Sequence, residues 1–394
     1  MAKELRIGVI GAGGRGGLAR HAHKPEEGVR LTAGADIDEK ALKNFQETYG
    51  ADAFVTKDYR KLLERDVDAV FVTSPDFLHE EQAVAAMEAG KDVYVEKPMA
   101  ITLEGCDRML ATAFRLKRKL CIGHNMRHMS FVLKMKELID TGRIGEVKAG
   151  WCRHFVGYGG DAYFKDWHAD RSKATSLLLQ KGAHDIDVLH WLCKGYTTRV
   201  NAMGGLTVYH LIKDRHDPKE RGDASWSDDN WPPLSQKGMN PVLDVEDISL
   251  MQMQLDNGVF ASYQQCHYTP DGWRNYTIIG TEGRIENFGD CPGECVVRLW
   301  NRRRSYNPYG DEQFFMPGVS GSHGGADPSI VEEFVRYVRE GGKITTSAVA
   351  ARYSVAAGCL AATSLRNGGV PQDVPPVDRE IADYFNAEIS HFPT

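Results

Sequence analysis

The sequence predicts an α/β protein: an N-terminal doubly wound parallel sheet of Rossmann type, followed by an α+β domain built on a large, mostly antiparallel open sheet. Three observations carry that expectation. A short apolar run enters Gly11-Ala12-Gly13-Gly-Arg15-Gly16, the pattern of a turn that cradles a pyrophosphate. Short apolar strands then alternate with helical segments as far as Ile122, the rhythm of βαβ units. After Gly123 longer alternating runs follow one another without intervening helices, as antiparallel neighbours do.

In the first domain, placed at residues 1–124, strands are expected at 6–10, 31–35, 69–73, 93–95 and 119–122. Helices are expected at 17–23 and 80–89. In the glycine-rich turn one glycine allows the tight bend, one the approach of backbone to pyrophosphate, and one close helix–strand packing. The following helix offers free N–H groups and partial positive charge to the phosphates. The second apolar run ends in Asp36. A carboxylate there accepts hydrogen bonds from the ribose hydroxyls and repels a 2′-phosphate, so NAD is expected in preference to NADP.

Residues 125–394 form the expected second domain, for substrate binding and oligomerisation. A helix over 131–140 leads through Thr141-Gly-Arg-Ile-Gly-Glu146 into strands at 147–155, 200–208, 248–255, 259–267, 276–280 and 296–300. Asp256-Asn-Gly258 reads as a hairpin turn. The polar stretch 213–242, with Trp226, Trp231 and four prolines, reads as a long loop of the kind that is functional or disordered. Helices return at 330–339 and 347–365.

Composition narrows the function classes. The formal net charge of −6 gives no electrostatic case for nucleic acid or an anionic membrane. No apolar run is expected to span a bilayer, and the N-terminus runs straight into the first strand without a visible signal peptide. A cytoplasmic enzyme is the expectation. The eight cysteines are scattered and read as reduced thiols. Cys291-Pro-Gly-Glu-Cys295 reads as a turn, since no second Cys/His pair stands at zinc spacing.

Two segments carry chemistry. Tyr94-Val-Glu96-Lys97-Pro98 follows a strand–helix–strand unit. An open parallel sheet binds ligands at the carboxyl ends of its strands, so Lys97 is expected to project toward whatever the first turn holds. Gln180-Lys181-Gly-Ala-His184-Asp-Ile-Asp187 reads as helix; spacing of three and four puts Lys181 and Gln180 on the face of His184. A histidine in such a helix is more often a surface or satisfied core group than a catalyst.

The glycine-rich turn, Asp36, Ser74-Pro75 with His79, Glu96-Lys97-Pro98, Asn125-Met-Arg127, Ile144-Gly-Glu146, Gly182-x-His184-Asp-x-Asp187 and His323-Gly-Gly-Ala-Asp327 occur in this order. Together they resemble the Gfo/Idh/MocA oxidoreductases, the glucose–fructose oxidoreductase and inositol dehydrogenase group, over nearly the whole chain. The resemblance implies NAD(P)-dependent chemistry on sugars or cyclic polyols, with Lys97 and His184 as catalytic residues. It places Gly11, Ala12, Gly13, Arg15, Gly16, Asp36, Ser74, Pro75, His79, Glu96, Lys97 and Arg127 around the cofactor. Substrate contacts are expected from Lys97, Arg127, Lys181 and His184, with Trp167, Arg171 and Asp327 as weaker candidates. Trp167 is equally readable as core and Arg171 as a solvated ion pair. A homodimer or homotetramer joined through the open sheet is also implied.

One departure matters. Many members carry an aspartate four residues before the histidine, where this chain has Gln180. A glutamine orients an imidazole without stabilising its charged form, which shifts proton transfer toward Lys97 and leaves Lys181 for a substrate hydroxyl or carboxylate. The expected reaction is hydride transfer from a secondary carbinol to the nicotinamide, without a metal. A neighbouring nicotinamide ring disfavours the lysine ammonium and fits Lys97 to act as base. Two alternatives accompany it: an NAD-dependent glycoside hydrolase or lyase with transient redox, and a non-catalytic NAD(H) sensor.

Overall fold

The computed structural model describes residues 4–220, 222–290, 295–317 and 322–389. The chain divides into two compact units, Met1–Arg127 with Gly325–Arg352 and the residues from Val377 onward, and His128–Gly324 with Tyr353–Pro376. This differs from the 124/125 boundary expected from the sequence, because two late segments fold with the first unit. The cause is packing: Phe334 sits edge-on against Phe71 and Tyr94, at 5.1 and 5.6 Å between ring centroids.

In the first unit six strands, β1 (Leu5–Ile10), β2 (Val29–Ala35), β3 (Phe54–Thr56), β4 (Ala69–Val72), β5 (Asp92–Val95) and β6 (Leu120–Ile122), form one sheet in the order β3-β2-β1-β4-β5-β6. Every pairing is parallel. Strands β4 and β6 are buried at every residue, as continuous apolar strands covered on both faces should be. Chain order reverses between β1 and β4, and the loops after β1, β4 and β5 carry Gly11–Gly16, Ser74-Pro75 and Lys97. That switch point is where such sheets bind ligands.

The second unit holds a nine-stranded sheet: β7 (Val147–Phe155), β8 (Thr197–Gly205), β9 (Ile248–Leu255), β10 (Phe260–Cys266), β11 (Trp273–Gly280), β12 (Arg284–Phe288), β13 (Val296–Trp300), β14 (Glu312–Phe315) and β15 (Gln372–Asp373). The order is β14-β13-β12-β11-β7-β10-β9-β8-β15; β7 and β10 run parallel and the other pairs antiparallel. The hairpin at Asp256-Asn-Gly258 joins β9 to β10 as expected. One face of β9 is buried and the other exposed in strict alternation. The buried face of the sheet packs under the helix Gly182–Cys193. Among its described residues the stretch 213–242 holds two short 3-10 turns, Asp228–Asn230 and Pro233–Ser235, and an isolated bridge between Arg215 and Met239. It is tied down by backbone bonds such as Asn240 N–H to Phe164 O (2.8 Å) and by His216 Nε2 against Lys165 O (3.0 Å).

The helix Ala348–Arg366 is long and apolar enough to cross a membrane by length and composition alone, against the expectation that no run approaches that length; most of it is buried inside the fold. The described cysteines are all free thiols. Cys291 and the turn expected around it lie outside the described residues, while Cys295 is buried. Among the described residues no group of His, Cys, Asp and Glu is arranged to hold a metal.

Candidate active site

The glycine-rich loop is shaped by its neighbours. Gly11 has φ +84°, and a side chain there would meet the Ser74 backbone nitrogen at 2.7 Å. A side chain on Gly16 would come within 2.1 Å of the Gly11 carbonyl oxygen. Only glycine closes this turn. Asp36 leaves β2 with its carboxylate fixed on the same loop: Oδ2 accepts from Gly13 N–H at 2.8 Å and Oδ1 from Asp38 N–H at 2.9 Å. A tight glycine turn beside a carboxylate at the end of the second strand fits the pyrophosphate and ribose diol of NAD.

The loops after β4 and β5 are joined by His79, whose buried ring lies 2.8 Å from both the Pro98 and the Ser74 carbonyl oxygens. Ser74 donates its hydroxyl to Gln82 at 2.6 Å. Glu96 is 5% exposed. Its carboxylate accepts from Arg15 Nε (2.8 Å), Tyr94 Oη (3.2 Å) and the Lys97 backbone N–H (3.1 Å). The half-buried Lys97 is thus anchored at its backbone by its neighbour, and the peptide to Pro98 is cis. Arg15 also binds both oxygens of Asp327, and Asn125 Nδ2 donates to Asp327 Oδ1 at 2.6 Å. Asp327, expected at the substrate, has its carboxylate taken up inside the first unit. Arg127 is buried with Nη1 on the Thr345 carbonyl at 2.6 Å.

In the second unit the expected single helix over 180–191 is broken. Leu177–Gln180 ends, Lys181 turns, and Gly182–Cys193 begins. Lys181 and His184 have different neighbours. The Lys181 ammonium donates to Tyr158 Oη at 2.8 Å and lies 5.3 and 5.6 Å from the ring centres of Tyr158 and Tyr163. Burial works against that ammonium, yet the Tyr163 and Tyr158 phenols outweigh it and raise its pKa. Burial likewise opposes ionisation of Tyr158, but the charge of Lys181 and its hydrogen bond pull the phenol below its ordinary value. His184 is buried, its ring 5.6 Å from that of His323.

Behind this helix Asp185 is fully buried and held by Arg274 Nε at 2.7 Å, His154 Nδ1 at 3.0 Å and the Tyr276 hydroxyl. Trp167 stacks on His168 at 3.7 Å, and Tyr163 meets His168 and His267 edge-on at 5.2 and 5.5 Å. Arg171 is apart from these groups: it is 44% exposed and bonds the Asp244 carbonyl at 2.7 Å, with Glu246 3.7 Å away. The Glu246 carboxylate is itself 4% exposed, so only the arginine end of this contact is solvated. Tyr158, Tyr163, His154 and Arg274 were not among the sequence candidates. The period-two alternation of 147–155 was the available signal for His154, since it puts Cys152 and His154 on the buried face.

The oxidoreductase family model for an NAD-binding Rossmann fold matches residues 5–124, and the model for the C-terminal alpha/beta domain matches residues 136–374. The chain belongs to the Gfo/Idh/MocA family. Residues 5–124, the larger part of its first unit, are the family's NAD-binding Rossmann domain. An inositol 2-dehydrogenase/D-chiro-inositol 3-dehydrogenase of Shouchella clausii is 33% identical over 220 residues, 55% of this chain and 60% of that protein. A 1-carboxy-3-chloro-3,4-dihydroxycyclohexa-1,5-diene dehydrogenase of Comamonas testosteroni is 33% identical over 205 residues, 51% of this chain and 50% of that one. The chain therefore spans little more than half the length of these relatives. Levoglucosan dehydrogenase in complex with NADH shares the fold, with a TM-score of 0.74 at 22% identity, covering 95% of this chain and 100% of that one. An oxidoreductase domain protein of Kribbella flavida does so at a TM-score of 0.75 and 21% identity, over 95% and 100% of the two chains. In this Gfo/Idh/MocA member the residue four before His184 is the buried Gln180.

Proposed function

We propose that this protein is an NAD-dependent dehydrogenase acting on a secondary hydroxyl of a sugar, glycoside or cyclic polyol. The observation that carries the reading is the Asp36 carboxylate bound to the glycine-rich loop, in a sheet whose β5 is followed by the loop that carries Lys97. The relatives named as inositol and levoglucosan dehydrogenases support the substrate class. Bound NAD supplies the hydride acceptor. Lys97 meets the reacting oxygen, either taking the hydroxyl proton as an amine or polarising the carbonyl as an ammonium in the reverse direction. Within the second unit we assign His184 and Trp167 to the sugar, since a flat apolar ring suits a face of axial C–H bonds. We assign the protein to the cytoplasm as a homodimer or homotetramer.

The test is the near-ultraviolet absorbance of NADH formed from NAD with a panel of inositols, sugars and glycosides. NADH formation with at least one polyol is the expected result. Cleavage of a glycoside without net NADH would replace the dehydrogenase by the transient-redox hydrolase or lyase.

A further inference from the structure

We propose that the second unit carries a carboxylate-binding subsite at Lys181, so that the compound oxidised is an acidic sugar or polyol rather than a neutral one. The subsite lies wholly within that unit. It rests on the dehydrogenase reading above only in that its ligand is the compound oxidised. Lys181 is 8% exposed, and among the described residues no carboxylate pairs with its ammonium. The buried acidic groups of neighbouring elements are already committed: Asp185 to Arg274 (2.7 Å) and His154 (3.0 Å), Asp161 to Lys165 (3.3 Å), and Asp166 to His168. Tyr158 Oη, 2.8 Å away, accepts one of the three ammonium N–H bonds. A phenol, however, is ordinarily uncharged below about pH 10. A buried cation without a counter-charge is costly, and an anion seated beside it offsets that cost.

Two further side chains point to the same ligand. His267 is fully buried, and neither of its ring nitrogens has a partner among the described residues. Gln265 is buried with its Nε2 donor likewise unused, while its Oε1 accepts from the Tyr263 hydroxyl at 3.1 Å. Spaced by two, Gln265 and His267 lie on one face of the chain leaving β10. Buried polar groups are as a rule hydrogen-bonded, so both fit a polar guest. The Tyr163 ring lies 5.6 Å from the Lys181 ammonium and 5.5 Å from the His267 ring. The cation and the unpartnered imidazole thus border one aromatic side chain. An ammonium, an amide and an imidazole together offer donors and one fixed positive charge, the complement of an oxyanion on a hydroxylated carbon chain. Tyr158, 38% exposed, is the side from which a solute reaches Lys181. One uncompensated charge suits a carboxylate. A phosphate ester carries close to two and is met by arginine forks, whereas Arg274 is held here by Asp185 and Asp290.

The experiment gives the full-length protein, with NAD, a panel of acids and their uncharged counterparts: glucuronate, galacturonate and gluconate, the methyl ester of each, and the neutral inositols. NADH formation and calorimetric binding are both read. At least one acid is expected to be oxidised with a KM roughly 10–100-fold below that of its ester, the usual weight of a charge-assisted hydrogen bond. Lys181→Met should bring the ester-to-acid ratio to about one, and Lys181→Arg should keep most of it. A preference for the acid that persists in Lys181→Met overturns the subsite. If Lys181→Met does not fold, the wild type decides alone, and equal KM values for acid and ester overturn it. Inorganic phosphate that binds more tightly than every acid overturns the choice of a carboxylate. The two readings fail separately. NADH from a neutral inositol with no advantage for any acid strikes the subsite and leaves the dehydrogenase. An acid that binds the wild type more tightly than its ester, with no NADH from any compound, strikes the dehydrogenase and leaves the subsite.

Discussion

Arg15 and Asp327, 312 positions apart, are joined by two parallel hydrogen bonds, Nη1 to Oδ2 at 2.6 Å and Nη2 to Oδ1 at 2.9 Å. Paired N–H donors on a carboxylate add geometric specificity to charge. The remaining nitrogen, Nε, reaches Glu96 at 2.8 Å. One guanidinium therefore links the glycine-rich loop, the residue before Lys97 and the late helix Ala326–Glu340, all within the first unit. Asp327→Asn should cost about 1–3 kcal/mol of stability, the usual range for a charged hydrogen-bonded group, and leave KM for the polyol unchanged. Urea denaturation and steady-state kinetics check both parts. A raised KM at full stability would return Asp327 to the substrate.

Asp36 sets the second expectation. Its carboxylate is pinned by two backbone N–H groups, so it cannot swing away from a 2′-phosphate without losing both. NAD should bind at least about tenfold more tightly than NADP, a difference of about 1.4 kcal/mol. Asp36→Ser should narrow that gap. Calorimetric titration with both cofactors decides it, and equal binding by the wild type would sink the assignment.

Lys97→Ala tests chemistry against binding. Removal of an acid–base or polarising group should lower kcat by roughly 10²–10⁴, while NAD affinity changes little because the backbone anchor to Glu96 survives. Turnover that persists with only a higher KM would make Lys97 a binding residue.

The parts of this molecule that were legible in the sequence are those written locally. Strand β2 is a mainly apolar run that ends at Ala35, directly before Asp36, and the β9–β10 hairpin is announced by its turn. Strand β14 was missed because most of its residues are exposed at the sheet edge, so burial imprints no alternation on them. Strand β15 is two residues long and exists only by pairing with β8. The pairs Arg15–Asp327 and Lys181–Tyr158 were invisible for another reason. Each depends on which loops the tertiary fold brings together, and no local period encodes that. The same argument explains the domain boundary: Phe334 joins the first unit through Phe71 and Tyr94, contacts that chain order does not reveal.

The outer face of the nine-stranded sheet carries Met203, Leu250 and Phe260, at 68, 46 and 65% exposure, with Trp151 at 36%. Met203 lies beside Leu250 across the β8–β9 ladder, and Trp151 lies in β7, which pairs with β10, the strand of Phe260. Large apolar patches are uncommon on monomers. We expect the homo-oligomer to form through this face, and Leu250→Glu with Phe260→Glu should shift the mass seen by light scattering to the monomer. A wild type that is monomeric at working concentration would refute the proposed assembly.

Stability toward acid follows from two histidines of the second unit. His154 is pushed down to about 3, by burial first and then by the Arg274 charge, which together outweigh the attraction of Asp185. His267 is lowered well below its ordinary value, again by burial first and then by His154 and Lys181. Both rings are neutral in the fold at pH values where the unfolded chain protonates them. The folded-state pKa values are depressed, so their contribution is complete above the ordinary histidine value of about 6.5 and is lost as pH falls below it. Each such histidine costs about 1.4 kcal/mol per pH unit in that window. Asp185, whose pKa is held low by Arg274 and His154 against the opposing effect of burial, adds its own loss only below about pH 4. The unfolding free energy should therefore fall between about pH 6.5 and 4.5, before carboxylates titrate. A His267→Gln variant, which keeps a polar side chain without the titrating ring, should flatten that decline by one proton's slope. Denaturant titrations across this range check the sign, and a stability that is level from pH 7 to about 5 would show that the buried rings take up protons in the folded state.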